Sequence, residues 1–179
     1  VVTREGVLAE SASGGFAAVY PVLKAMEEAG KVRRGYFVAG LGAAQFALPG
    51  AVDRVRARRD DEAEDVVVLA AADPAQPYGA ALPWPETTGR PSRSAGAFVV
   101  LVDGAPSVFV ERGGRTLATF DGSDDRVWPD AVAALVKDGR LRRVELRQID
   151  GVPATDHPSA DRLREVGFVD GYRGLTLRG

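Results

Sequence analysis

The chain contains no cysteine in its 179 residues. This excludes disulfide bonds, cysteine-ligated zinc, iron–sulfur clusters and thiol catalysis. Histidine occurs once, as His157, so a polyhistidine metal site is excluded and we predict no metal ligands. A Ser-His-Asp site is still possible with one histidine. No apolar run approaches the ~20 residues of a membrane-spanning helix, and we expect no membrane partner.

Length and composition indicate a folded protein with one large domain or two small ones. The chain has 179 residues, and a domain has roughly 150. Its composition, 45% hydrophobic and 27% charged, is that of a globular protein. The chain begins at Val1 within a motif-like segment and has no signal peptide. We therefore interpret it as a segment of a longer, cytoplasmic protein.

The charges are unevenly distributed, although the net charge is only −2. Of the 23 basic residues, 20 are arginine, the side chain that best matches the geometry of a phosphate. A basic segment from Lys31 to Arg59 contains a single acid, and the acidic run Asp60 to Asp65 follows it. Such runs are typical of solvated linkers. We therefore predict a domain boundary here, between residues 1–65 and 66–179.

Two helices are predicted in the first thirty residues. Thr3 is the expected N-cap of a short helix over 5–10. From Phe16 to Ala29 the apolar residues recur at steps of three and four, which predicts a second helix ending at Gly30. Pro21 lies inside it, so the helix should either kink or begin later, near Ala18.

Two strand-like segments, 32–38 and 45–48, follow these helices with Gly40-Leu41-Gly42 as the turn between them. The order helix, turn, helix and two-stranded wing predicts a winged helix that lacks its first helix.

The remaining residues predict an α+β module whose meander of short strands resembles a small β-barrel. The apolar run 66–71 is expected to be a buried strand. The other predicted elements are strands over 97–102, 107–111, 115–120 and 141–149, helices over 129–136 and 160–166, the second capped by Ser159, and one or two strands within 168–177.

Several stretches of the sequence resemble the C-terminal region of the large helicase-related, or Lhr, family, and the resemblance covers nearly the whole chain. They are GFAAVYPVLK from Gly15, EEAGKVRRGYFV from Glu27, GLG from Gly40, QFALPGAVDR from Gln45, VLAAADPAQPYG from Val68 and FVERGGR from Phe109.

The resemblance implies a fragment of a bacterial ATP-dependent DNA helicase. Such proteins have a RecA-like motor at the N-terminus and a C-terminal extension with winged helices and a β-barrel. The extension is similar to AlkZ-type DNA glycosylases, and some relatives are described as uracil-DNA glycosylases. The chain has neither a GK[ST] phosphate loop nor a DExx strand end. We therefore expect no cofactor here, and ATP and magnesium only in the parent motor.

Basic residues with a nearby aromatic side chain suggest where DNA would be contacted. Arg33, Arg34 and Tyr36 lie at the start of the wing, where arginine can bind phosphate and tyrosine can stack on a base. The alternative is an ordinary solvated strand edge. Arg112 and Arg115 flank the tight Gly113-Gly114 turn and should point outward, as phosphate contacts or as simple surface residues.

Arg54 begins a basic strip with Arg56, Arg58 and Arg59. The strip could extend the DNA-binding surface, but we favour a solvated helix end balanced by neighbouring acids.

Gln148-Ile149-Asp150 has the Gln-x-Asp form of the catalytic pair in AlkZ-like glycosylases. The resemblance implies that Asp150 would be the base or electrostatic partner in glycosidic cleavage. Against this, the family's pair is expected earlier in the domain, and three residues match easily by chance. His157 precedes a proline in a turn and is expected to be exposed, whereas Trp84 is expected to anchor packing.

Three functions follow from these observations. The first is an accessory segment of a DNA-repair helicase that contacts DNA without sequence preference, together with upstream domains of the same chain. Sequence-specific binding is not expected, because Lys24 is the single basic residue of the helix over 16–29. The second is a docking or homo-oligomerisation module without DNA contact. The third is part of a uracil-DNA glycosylase-like active region.

Overall fold

A computed structural model of the chain describes residues 1–59 and 65–179, which form two compact units. Residues 1–59 and 80–83 make up the N-terminal unit, and residues 65–79 and 84–179 make up the C-terminal unit. The predicted acidic linker covers residues 60–65, of which 60–64 lie outside the described residues.

The N-terminal unit consists of short helices and one two-stranded sheet. Thr3 caps the first helix, because its Oγ1 accepts a hydrogen bond from the Gly6 amide at 3.0 Å, as predicted. The strands predicted on either side of the glycine turn pair antiparallel, which confirms the wing. The elements are α1 (Arg4–Ala9), α2 (Gly15–Glu28), β1 (Arg33–Gly35), β2 (Gln45–Ala47) and α3 (Pro49–Arg59).

Helix α2 begins at Gly15 and passes through Pro21 without a break, so the expected later start near Ala18 is wrong. Pro21 is exposed, and the carbonyl that its missing N–H leaves unpaired can be hydrated there. The predicted stop at Gly30 is confirmed. Gly30 has a φ of +70° and its amide donates to the Glu27 carbonyl, while the Lys31 amide donates to that of Met26.

The C-terminal unit contains nine strands and two helices within its described residues. Most of the predicted elements are confirmed, and two Asp-Gly dipeptides turn its hairpins with positive φ at both residues. The elements are β3 (Val66–Ala70), β4 (Phe98–Val102), β5 (Ala105–Val110), β6 (Thr116–Thr119), α4 (Trp128–Lys137), β7 (Arg143–Leu146), β8 (Gln148–Ile149), β9 (Val152–Pro153), α5 (Ala160–Glu165), β10 (Val169–Gly171) and β11 (Gly174–Arg178).

The β-barrel-like module expected from the sequence is wrong, because neither sheet within residues 65–179 closes. A barrel requires the two edge strands of a sheet to pair with each other. Here β3 and β9 lie at opposite edges of a six-stranded sheet ordered β3-β4-β5-β6-β8-β9. A separate three-stranded sheet has the order β10-β11-β7. The unit is therefore an open α+β fold.

The structure differs from two of the strand predictions, in the burial of one strand and in the continuity of the other. The apolar run at β3 is not buried, because β3 is an edge strand, and Val66 and Val67 are 39% and 38% exposed. The strand expected over 141–149 is broken at Arg147 into β7 and β8, which belong to different sheets. Ser159 occupies the N-cap position of α5, but its side chain makes no capping hydrogen bond.

One hydrophobic core joins both sheets of the C-terminal unit to α4 and α5. Trp128 and Leu135 of α4 and Leu163 of α5 are completely buried in it, beside Leu146 of β7 and Leu175 of β11. Across the described residues, none of the helices has the length and apolar character needed to traverse a bilayer.

Gly174 tests how tightly β11 packs on the end of β7. A Cβ at this position would lie 1.9 Å from the Leu146 carbonyl oxygen, and φ is +137°. We expect Gly174→Ala to lower the free energy of unfolding by about 2–3 kcal/mol more than Gly122→Ala does. Gly122 also has positive φ, at +82°, but open space around it, so it is the control for a positive-φ glycine without the clash. Urea denaturation measures both variants, and equal losses would contradict the tight packing.

Candidate nucleic-acid interface

The wing is a small antiparallel sheet with a fixed register. Arg33 lies opposite Ala47, Arg34 opposite Phe46, and Gly35 opposite Gln45. The N-terminus adds a further bridge, in which the Val2 amide donates to the Phe46 carbonyl at 2.7 Å and the Phe46 amide donates back at 2.9 Å. The β2 backbone is therefore hydrogen-bonded on both sides.

A buried glutamine holds the loop between the two strands. Gln45 is 0% exposed, although its side chain is polar. Its Oε1 accepts hydrogen bonds from the amides of Phe37 and Val38 at 2.9 and 2.8 Å. Its Nε2 donates to the carbonyls of Val38, Leu41 and Gly42 at 3.0, 3.3 and 3.0 Å. One side chain thereby satisfies five backbone groups of a loop that has no ladder partners of its own.

The three residues predicted at the start of the wing have different surroundings. Arg34 packs against two aromatic rings. Its guanidinium carbon lies 6.0 Å from the ring centre of Tyr20 and 5.9 Å from the ring centre of Phe46. Arg33 is exposed, and among the described residues no carboxylate pairs with it. Tyr36 is 81% exposed at the end of β1. The structure thus presents one free guanidinium and one free aromatic ring on the wing.

The predicted basic strip lies on α3, a helix with little apolar surface. Arg54 is exposed and lines a surface depression with Val1 and Leu48. Arg56 lies 4.0 Å from Asp53, one turn earlier on the helix. These contacts agree with a solvated helix in which part of the positive charge is balanced.

The two arginines predicted around the glycine turn lie in the C-terminal unit, between β5 and β6. The turn itself is confirmed, because the Gly114 amide donates to the Glu111 carbonyl at 2.9 Å. Arg112 and Arg115 are both exposed. They differ in their neighbours, since the Arg112 side chain lies over Gly96, whereas the Arg115 carbonyl accepts the Arg147 amide at 2.8 Å.

Asp150 is the most heavily hydrogen-bonded of the predicted site residues. Its Oδ1 accepts from the Thr119 amide at 2.8 Å and from the Thr88 hydroxyl at 2.9 Å, and its Oδ2 accepts from the Thr119 hydroxyl at 2.6 Å. It is also the first residue of the β8–β9 turn, with a φ of +52°. Gln148, two residues earlier, is exposed. The carboxylate therefore ties this turn to the end of β6 and to the segment around Thr88.

His157 is not exposed as predicted; its side chain is only 12% exposed, and Nε2 lies 3.6 Å from Oδ2 of Asp150. Its Nδ1 accepts the Ser159 amide at 3.2 Å, which places the proton of the neutral ring on Nε2, toward the carboxylate. The Ser159 hydroxyl is buried without a hydrogen-bond partner. A Ser-His-Asp relay is therefore not assembled, because the serine oxygen does not contact the imidazole.

The wing geometry agrees with comparison to known families. Residues 1–67 match the family described as "Large helicase-related protein, winged-helix domain". This part of the chain is an Lhr-type winged-helix domain. The resemblance to Lhr proteins that the sequence motifs suggested is thereby confirmed.

Two curated Lhr proteins are similar to the whole chain. A Mycolicibacterium smegmatis protein named "Lhr helicase/ probable uracil glycosylase" is 45% identical over 195 aligned positions, covering 99% of this chain. An Escherichia coli protein named "Lhr helicase/uracil glycosylase" is 34% identical over 185 positions, covering 98%. The chain spans only 13% and 12% of the lengths of these relatives.

Sequence reasoning missed the residue that organises the Lhr-type wing. The sequence places Gln45 in a strand and in a family motif, but a glutamine normally lies at the surface. The available signal was its position directly after a glycine-containing loop and before an aromatic core residue. The burial of His157 is not evident from the sequence for a related reason, because its partner Asp150 belongs to the β8–β9 hairpin.

Replacing Gln45 with methionine tests the anchoring of the wing loop. The substitution keeps the approximate size of the side chain but leaves the Phe37 and Val38 amides without their acceptor. We expect the free energy of unfolding to fall by about 2–4 kcal/mol, since each orphaned polar group costs about 1–3 kcal/mol. Hydrogen exchange at these two amides should accelerate, while exchange at Val100 in β4 stays protected. Unchanged exchange at Phe37 and Val38 would contradict the anchoring role.

Proposed function

We propose that the chain is an accessory segment of an Lhr-type DNA helicase and that its winged-helix domain contacts duplex DNA through the phosphates. The observation that carries this proposal is the wing itself. Arg33 and Tyr36 are exposed on it, and Gln45 fixes the loop beside them. A preordered wing binds with little loss of conformational entropy. Arg34 and Arg54 extend the positive charge on the same unit, and Arg112 and Arg115 are further phosphate candidates on the C-terminal unit.

The proposed contact is independent of base sequence. Helix α2, which would be the reading helix, has Lys24 as its single basic residue, and this lies 3.9 Å from Glu28. Base recognition in the major groove depends on arginine, lysine, asparagine or glutamine on the inserted helix. Apart from Lys24 and Glu28, the exposed residues of α2 are small or apolar, namely Ala17, Ala18, Pro21, Val22 and Ala25.

The chain would work as part of a larger enzyme. The Lhr relatives are roughly eight times longer than the matched segment. In this proposal the upstream domains of the same protein bind ATP and magnesium and drive translocation, and this segment helps to hold DNA during repair. A protein acting on the bacterial chromosome would lie in the cytoplasm.

Neutralising Arg33 tests the wing contact. Arg33→Gln should weaken binding to a mixed-sequence duplex and reduce the slope of log K against log salt by about 0.9, the value for one phosphate contact. Lys24→Gln changes the net charge equally on the same unit but should leave the slope unaltered. Fluorescence anisotropy at several salt concentrations measures both. The wing contact is ruled out if the two variants bind alike.

A docking role without DNA contact is the second candidate, and the apolar exposed side of α2 favours it. Such a surface suits a protein partner, either another domain of the parent protein or a second copy of this chain. The anisotropy measurement separates the two candidates, because a docking module would keep the same weak affinity for DNA in both charge variants.

Participation in uracil excision is the third candidate, favoured by the names of both relatives and by the half-buried carboxylate of Asp150. The carboxylate and Gln148 would lie at the cleaved glycosidic bond. Asp150 is held by three hydrogen bonds, so its orientation is fixed before any substrate binds.

Asp150→Asn tests this role with little risk to the fold. Asparagine tolerates positive φ as aspartate does, and its Oδ1 can still accept the Thr119 amide. In the full-length parent, excision of uracil from a single strand should fall at least ~100-fold, the usual contribution of an acid–base group. DNA binding should be unchanged, and Asp156→Asn in the neighbouring turn should retain excision. Full excision by Asp150→Asn would reject this candidate.

A further inference from the structure

The outer face of the three-stranded sheet places arginines directly opposite each other. Val144 and Leu146 of β7 and Leu175 of β11 are completely buried against the core. Because side chains alternate along a strand, the residues between them project to the other face. The register then sets Arg143 of β7 against Arg178 of β11. Like charges in direct opposition destabilise a sheet, so fold stability does not account for this pair.

Four arginines lie near a single carboxylate here: Arg143, Arg147 and Arg178 share this face with Glu145, and Arg115 lies in the turn between β5 and β6. Arg147 donates to Glu145 Oε1 at 2.9 and 2.7 Å through Nε and Nη2. The pKa of Glu145 is lowered, chiefly by the hydrogen bond from Arg147 and further by the charges of Arg147, Arg143 and Arg115. Arg115, Arg143 and Arg178 have no ion-pair partner within the described part of the chain. The face therefore carries three positive charges more than negative ones.

An exposed aromatic ring lies at one end of these arginines. Tyr172 occupies the two-residue turn between β10 and β11 and is 100% exposed, followed by the exposed Arg173. The base of the turn is fixed in place, because Gly174 packs against the backbone at Leu146 and Arg147. From Arg143 to Arg147 the strand runs about 13 Å at ~3.3 Å per residue. A strip of guanidinium groups thus leads to a free tyrosine on a well-positioned hairpin.

We infer that Arg115, Arg143, Arg147, Arg178 and Tyr172, here called the arginine face, form a second nucleic-acid site that takes single-stranded DNA. Guanidinium groups bind consecutive phosphates of one strand, and the tyrosine ring stacks on an unpaired base. Aromatic stacking with a basic track is the recurrent chemistry of single-strand binding, and paired bases do not offer a free ring face. The inference rests on the proposed function in taking DNA as the partner, but it uses none of the wing residues.

The test uses the whole chain and a labelled oligothymidylate of about 20 nucleotides. Arg143→Gln combined with Arg178→Gln should reduce affinity about tenfold or more and lower the salt slope by about 1.4, at ~0.7 per single-strand phosphate contact. Tyr172→Ala should weaken binding about tenfold without changing that slope, and Tyr172→Phe should restore it, since stacking needs the ring and not the hydroxyl.

The matched control is Arg126→Gln combined with Lys137→Gln. It removes the same charge from the C-terminal unit at positions beside and within α4, off the arginine face. Circular dichroism confirms that each variant is folded. An unchanged salt slope in the Arg143 and Arg178 variant, or an equal loss in the control, would overturn the inference. The same variants are also tested for binding to an acidic peptide. If the arginine-face variants lose binding to this peptide but not to the oligothymidylate, the inference is overturned and the partner is a protein.

The outcomes for the two DNA sites are distinguishable. If Arg33→Gln leaves duplex binding unchanged while the arginine-face variants lose single-strand binding, the wing proposal fails and this inference stands. If only the wing variant loses DNA, this inference fails and the wing proposal stands.

Discussion

The buried amide of Gln45 is the interaction on which the N-terminal unit depends. A wing loop of nine residues between two three-residue strands has too few ladder hydrogen bonds to hold one shape. Gln45 supplies the missing partners from inside, with both polar atoms of its side chain engaged by loop backbone. The bridge from Val2 completes the hydrogen bonding of β2. An ordered wing with Arg33 and Tyr36 exposed is the consequence.

The charged surfaces of the two units differ in a way that suits different forms of DNA. On the wing, Arg33 is an isolated free guanidinium, while Arg34 is engaged with aromatic rings. This arrangement suits a few backbone contacts to a duplex. On the arginine face, several guanidinium groups lie in line with a free ring, which suits a strand whose bases are exposed. Both forms of DNA would be present around the helicase proposed as the parent protein, because a helicase produces single strands from duplexes.

Local patterns in the sequence predicted the elements well, because caps and turns are local. Thr3, Gly30 and the glycines of the wing loop act through groups a few residues away, and the structure confirms them. The position of a strand within a sheet is set by distant residues. A run of valines has the same sequence pattern in an edge strand, such as β3, as in a central strand of a sheet. Likewise, no local sequence signal near Arg147 indicates that β7 and β8 belong to different sheets. The prediction of a barrel was wrong for this reason.

The candidate sites were predicted in part. Arg33, Tyr36 and Arg115 are exposed, as residues that contact DNA must be. For Arg115 the sequence carried a direct signal, because residues that flank a tight turn point outward. The pairing of Arg143 with Arg178 spans 35 positions and depends on a register that the sequence pattern does not contain. The hydrogen bonds of Asp150 to Thr88 and Thr119 are equally remote in sequence. Sequence motifs pointed to the family more directly than to either surface.

An NMR titration of the isotope-labelled chain with duplex DNA tests the central claim most directly. The account expects amide shifts concentrated in the wing, from Arg33 to Ala47, with the exposed side of α2 unaffected. Shifts confined to α2 between Ala17 and Ala25, or an unperturbed wing at saturating DNA, would contradict it.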